Sequence, residues 1–169
     1  MAHKVLVLLI FCALLGGCAS TSRAPIDARQ TSSEPARRAA SPTERSEALL
    51  VALMALGVDY RLGGRSGATG FDCSGLVAYV YEEAYGIRMP RTVIAQSETG
   101  VAVRAEDLEP GDLVFYDTLG RPYSHVGIYL GEGKFVHAPK TGTTVRVENL
   151  RSSYWTKRFN GARRIEVPL

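Results

Sequence analysis

The sequence predicts an α+β domain, with N-terminal helices packed on a mostly antiparallel sheet of about five or six strands. Two observations carry this. Apolar residues recur at helical spacing up to about Gly100, and beyond that point the period drops to two. Turn signatures at Glu109-Pro110-Gly111-Asp112, Gly131-Glu132-Gly133 and Lys140-Thr141-Gly142 then cut the second half into short β-rich runs. Helices first and strands later imply α+β rather than an alternating α/β chain. Residues 42–169 are enough for one hydrophobic core, and no internal repeat is visible.

The N-terminus reads as an export signal over residues 1–17. Lys4 supplies the positive region and Val5 to Leu15 an apolar stretch too short to span a bilayer. Leu15-Gly16-Gly17-Cys18 then resembles the lipobox of bacterial lipoproteins, which implies cleavage before Cys18 and lipidation of that residue. Ala19, where an Asp would retain the protein at the inner membrane, implies sorting to the outer membrane on the periplasmic side. Residues 18–41 are Ser, Thr, Ala, Arg and Pro-rich and read as a disordered tether. Stretched, it reaches ~80 Å. The tether and Lys4 hold the formal net charge of +3, since 15 basic and 15 acidic residues balance from Thr43 onward. Nothing in this distribution suggests a nucleic-acid surface.

Ser41-Pro42-Thr43-Glu44 offers an N-cap, a proline at the first helical position and a glutamate at N3, so a helix runs through Ala48–Leu56 and stops at Gly57. A second helix is capped by Asp72, carries Leu76, Val77, Val80 and Tyr81 on one face, and ends near Gly86. A third, shorter, runs from near Thr92 to before Gly100. The expected strands are Val101–Val103, Leu113–Tyr116, His125–Leu130, Lys134–Ala138, Thr144–Val147 and Phe159–Val167.

The candidate chemistry centres on Cys73. Cys12 leaves with the signal and Cys18 becomes an anchor, so Cys73 remains as a lone thiol in an oxidising compartment, with no disulfide partner. It opens a helix, whose N-terminus stabilises a thiolate, and an imidazolium from His125 would stabilise it further. His125 and His137 flank the Gly131-Glu132-Gly133 turn. A hairpin centred on residue 131 pairs them directly, and one centred on 132 makes them diagonal neighbours. Either brings their Cβ atoms within about 4.5 to 8 Å. A two-residue turn without a bulge would put them on opposite faces. His137 could then fix the tautomer of His125.

Six ordered blocks resemble one family. They are Gly57-Val58-Asp59-Tyr60-Arg61-Leu62-Gly63-Gly64, Phe71-Asp72-Cys73-Ser74-Gly75-Leu76-Val77, Met89-Pro90-Arg91, Leu108-Glu109-Pro110-Gly111-Asp112-Leu113-Val114-Phe115, His125-Val126-Gly127-Ile128-Tyr129 and Val136-His137-Ala138-Pro139. Together they resemble the NlpC-type peptidoglycan cysteine hydrolases, whose core is papain-like, and within that family the single-domain lipoprotein members. The resemblance implies Cys73 as nucleophile, His125 as general base and acid, and His137 as orienting residue. It also implies Tyr60 near the oxyanion, Asp72 and Ser74 shaping substrate subsites, peptidoglycan stem peptides as substrate, and no cofactor. The bond it favours is the D-alanine to diaminopimelate cross-link, while other members cut γ-D-glutamyl to diaminopimelate. Two other classes remain open: a noncatalytic wall-binding lipoprotein, and an acyltransferase or lipid hydrolase on a papain-like core.

Other residues read as structural. Arg91 is expected in an ion pair, Tyr154, Trp155 and Phe159 in the core, and Arg163-Arg164 at a solvated strand end. Two histidines and one cysteine without a second Cys pair or an HExxH helix argue against zinc. Gly63-Gly64 lacks the lysine of a phosphate loop.

Overall fold

A computed structural model describes residues 37–168. The signal peptide, Cys18 and most of the expected tether lie outside the described residues. The described residues begin inside the segment 18–41, where β1 (Arg37–Ala39) is a strand rather than tether and pairs antiparallel to β10 (Glu166–Pro168). Arg38 holds this junction through a two-pronged contact with Glu44, at 2.7 and 2.8 Å.

The helices start where their caps require. Helix α1 (Pro42–Met54) has the full capping box: Ser41 Oγ accepts from the Glu44 amide and Glu44 Oε2 accepts from the Ser41 amide. A short hairpin, β2 (Arg65–Ser66) and β3 (Gly70–Phe71), leads into α2 (Cys73–Tyr85). Asp72 caps α2 by accepting from the Gly75 amide, and Gly86 ends it in the left-handed conformation. Gly75 is required by crowding, since a Cβ there would sit 2.0 Å from the Gly64 carbonyl oxygen. Thr92 caps α3 (Val93–Ser97).

Six antiparallel strands follow in spatial order β4 (Val101–Val103), β9 (Phe159–Arg164), β5 (Leu113–Tyr116), β6 (His125–Gly131), β7 (Lys134–His137) and β8 (Arg146–Asn149). The expected strand over 144–147 therefore starts two residues later, and the run 159–167 divides at Ile165 into β9 and β10. The helix α4 (Ser153–Thr156) precedes β9. Alternation divides the sheet into two faces. Leu113, Phe115, Val126, Ile128 and Val136 pack with α1 and α2, while Val114, Tyr116, Phe135 and Ala162 pack with Trp155 on the other side.

Arg164 is not a solvated strand end. Its guanidinium makes two 2.8 Å contacts with buried Asp112 and one of 2.9 Å with Glu109, tying the start of β5 to the end of β9. Arg163 donates to the Ser97 carbonyl.

Candidate active site

Three parts of the chain converge: the N-terminus of α2, the β6–β7 hairpin and the segment around Tyr60. The hairpin settles the parity question. Ile128 pairs with Val136 and Tyr129 with Phe135, which is the register centred on residue 132. The turn itself has two residues, Glu132 and Gly133, both at positive φ, and a one-residue bulge at Leu130 restores the parity that such a turn would otherwise reverse. His125 and His137 are therefore diagonal neighbours on one face. His125 Nε2 and His137 Nδ1 share a hydrogen bond of 2.7 Å.

That face is the one opposite the helices, so the pair sits among aromatic rings. Trp155 stacks on His125 at 5.8 Å between centroids and meets His137 edge-on at 5.1 Å, with Phe135 5.0 Å from His137. Trp155 is buried, as expected for core, but its ring also walls both histidines. Sequence reasoning missed that contact because no spacing rule connects α4 to the hairpin. Tyr154 is not core; it is exposed and stacked under the Arg158 guanidinium. Gly127, opposite His137 in this register, leaves room for Phe135, because a Cβ there would lie 2.6 Å from its ring.

Cys73 is half-buried at the first position of α2. The backbone amides of Val126, Ser74 and Cys73 itself favour the charged sulfur, so the thiol lies near the residue that follows His125. Burial outweighs the expected lowering of its pKa. Burial pushes the thiol up to about 11, with the Asp72 carboxylate adding to the effect against those three amides. Burial likewise moves His125 down to about 4. His137 falls to about 2, again through burial first, then the nearby His125 and Arg146. The thiol and both imidazoles are thus neutral at rest.

Asp72 and Ser74 are buried and their polar atoms are engaged. Arg91 contacts Asp72 at 2.6 and 2.9 Å and Ser74 Oγ at 2.9 Å, as expected of an ion-paired arginine, while the Gly63 and Gly75 amides donate to Asp72. Burial alone would raise the Asp72 pKa, but these hydrogen bonds and the Arg91 charge outweigh it and lower the value. Gln96, unremarked in the sequence, is fully buried and donates to the carbonyls of Ser74 and Pro90, which fixes the Arg91 segment against α2. Tyr60 is held by its amide, which donates to the Thr143 carbonyl. Burial, then the proximity of Cys73 and Asp72, raises its phenol pKa, so it stays a proton donor. An open cavity of about 440 Å³ borders His125 and Trp155 on the side of the β7–β8 loop.

Residues 57–164 match the NlpC/P60 family. The chain belongs to that family. Among NlpC/P60 relatives, the murein DD-endopeptidase MepH of Escherichia coli is 43% identical over 67% of this chain and 43% of its own length. The gamma-DL-glutamyl hydrolase of Bacillus subtilis is 35% identical over 83% of this chain and 33% of its own. The chain spans less than half the length of either relative. A crystal structure of an NlpC/P60 protein from Bacillus cereus superposes with a TM-score of 0.67 at 34% identity, covering 75% of this chain and 40% of the other. The α+β, papain-like architecture is that of NlpC/P60 domains.

Proposed function

We propose that this chain hydrolyses amide bonds in the stem peptides of peptidoglycan through a thioester on Cys73. The observation that carries the reading is the 2.7 Å contact between His125 and His137, formed beside a thiol at a helix N-terminus. Because His125 Nε2 faces His137, its Nδ1 is the nitrogen free to exchange a proton with the thiol. For that nitrogen to be basic, Nε2 carries the hydrogen and donates to His137 Nδ1. His137 is then an orienting residue.

In the first half-reaction the Cys73 proton passes to His125 as the sulfur attacks the carbonyl carbon. The tetrahedral oxyanion is met by the Cys73 amide and the Tyr60 phenol, and collapse expels the amine with the proton from His125. Water, deprotonated by His125, then cleaves the thioester and restores the thiol. Starting from neutral partners, the transfer separates charge only within the site, where the amides of Val126 and Ser74 face the sulfur. Asp72 and Ser74 act through Arg91 and the α2 cap to shape the groove beside the nucleophile.

The bond favoured is the D-alanine to diaminopimelate cross-link, supported by similarity to a protein named a murein DD-endopeptidase. Similarity to a protein named a gamma-DL-glutamyl hydrolase supports γ-D-glutamyl to diaminopimelate as the second reading. The same proposal has the chain held at the periplasmic face of the outer membrane by lipid on Cys18. Intact mass of the membrane-extracted N-terminal peptide tests this, and an unmodified Cys18 would remove it.

The deciding experiment is mass spectrometry of defined cross-linked and uncross-linked muropeptides incubated with the full chain or its Cys73→Ala variant. Conversion of dimers to intact monomers by the wild type alone supports the cross-link. Shortened stems move the assignment to the γ-D-glutamyl bond. No cleavage of either leaves a noncatalytic wall-binding protein.

A further inference from the structure

His125 lines the open cavity, and Cys73 does not. His125 and Trp155 form one side, and Lys140, Arg146 and Glu148 reach it from the β7–β8 loop and β8. The two cations differ. Arg146 is paired with Glu148 at 2.8 Å, whereas Lys140 has no ion-pair partner among the described residues. The wall therefore keeps one uncompensated positive charge.

Lys140 also springs from a fixed point. Its amide donates to Thr143 Oγ1, its carbonyl accepts from the Thr143 hydroxyl and amide, and the Thr143 carbonyl in turn accepts from the Tyr60 amide. The loop is thus stitched to the segment carrying Tyr60.

Position determines which part of a substrate enters. His125 hands its proton to the leaving nitrogen, so the residue bearing that nitrogen lies on the His125 side, while the acyl part stays with sulfur. We infer that this cavity is the leaving-group subsite and that Lys140 binds a free carboxylate on the leaving amino acid. The inference rests on the hydrolase reading above. It also separates the two candidate bonds. In the cross-link, the carbon bearing the leaving nitrogen carries a free carboxylate. In the γ-glutamyl bond of an intact stem, the equivalent carbon has its carboxyl tied up as an amide.

The test uses the full chain and its Lys140→Gln variant on two cross-linked dimers that differ only in a carboxylate or carboxamide beside the cross-link nitrogen. One charge-assisted hydrogen bond in a half-open site corresponds to roughly tenfold in kcat/KM. The wild type should prefer the carboxylate by about that factor, expressed mainly in KM. Lys140→Gln should lose that preference and cut the carboxamide dimer as the wild type does. An equal loss on both dimers, or a wild type that does not discriminate, would overturn the subsite. Cleavage of neither dimer by the wild type would remove the hydrolase reading and the subsite with it. Cleavage confined to the γ-glutamyl bond would overturn the subsite while leaving the hydrolase intact.

Discussion

Lowering the pH from 7 to 5 should remove a large part of this domain's stability through two histidines. In the unfolded chain His125 and His137 titrate near 6.5. In the fold burial holds them at about 4 and about 2, and they are 4% and 0% exposed. Their folded pKa values are depressed, so below pH 6.5 the unfolded state binds protons that the native state refuses. Stability rises with pH through this window and is lost as pH falls from 6.5, toward about 4 for His125 and about 2 for His137. At pH 5 the linkage amounts to about 2 kcal/mol per histidine, or about 4 kcal/mol for the pair. That compares with a total of ~5 to 15 kcal/mol for a typical domain. Asp72, whose carboxyl is held below the ordinary 3.8, begins to lose its own contribution only at lower pH. Urea titrations at pH 7, 6 and 5, followed by Trp155 fluorescence, measure the loss. His137→Gln keeps a neutral acceptor for His125 and should lose only about half as much. A stability unchanged between pH 7 and 5, or a His137→Gln variant as pH-sensitive as the wild type, would refute the reasoning.

Alkylation of Cys73 by iodoacetamide should be slow at pH 7 and climb steeply above about pH 9, because burial and Asp72 hold the thiol near 11; a plateau at neutral pH would contradict the neutral resting thiol. Arg91→Gln should push that profile further up by leaving Asp72 uncompensated, and should destabilise by about 1 to 2 kcal/mol, the pair being partly exposed on the Arg91 side. Trp155→Ala removes the buried ring beside both histidines and should lower stability by about 3 to 5 kcal/mol. It should also raise the histidine titration midpoints, followed by NMR. Gly127→Ala drives a methyl into the Phe135 ring and should lower stability by about 1 to 3 kcal/mol, read as a fall in Tm.

What was legible in the sequence was what local chemistry dictates. Ser41 and Glu44, Asp72 and Gly86, and Thr92 are caps whose partners lie within four residues or end the helix themselves, so the starts of α1, α2 and α3 and the end of α2 could be read directly, whereas α1 stops at Met54, short of the expected Leu56. The histidine geometry was legible only up to a parity choice, since the bulge at Leu130 that decides it has no signature beyond the two glycines around Glu132. Contacts of long separation were not legible. Arg164 with Asp112, Trp155 with the hairpin, and Gln96 with Ser74 join residues that only the completed sheet brings together. The β2–β3 hairpin has two residues per strand, too short for any alternation to register. The electrostatics erred for a related reason. A helix N-terminus and a histidine are visible in a sequence, but the depth at which they sit is not, and here depth outweighs both.

That depth bears on how the proposed chemistry would start. A carboxylate one residue from the nucleophile opposes thiolate formation, yet Asp72 cannot be spared, because it caps α2 and orders the Gly63 turn. Arg91 reconciles the two demands by placing a guanidinium against both Asp72 oxygens. The Asp72 charge is then largely spent on Arg91 and on two amides. The thiol, for its part, lies near backbone amides that favour it only once sulfur turns negative. A preformed thiolate is open to oxidation whenever substrate is absent. A neutral thiol ionised by His125 only as it attacks avoids that exposure, and the burial that raises the Cys73 pKa and lowers that of His125 is the same feature that shelters it.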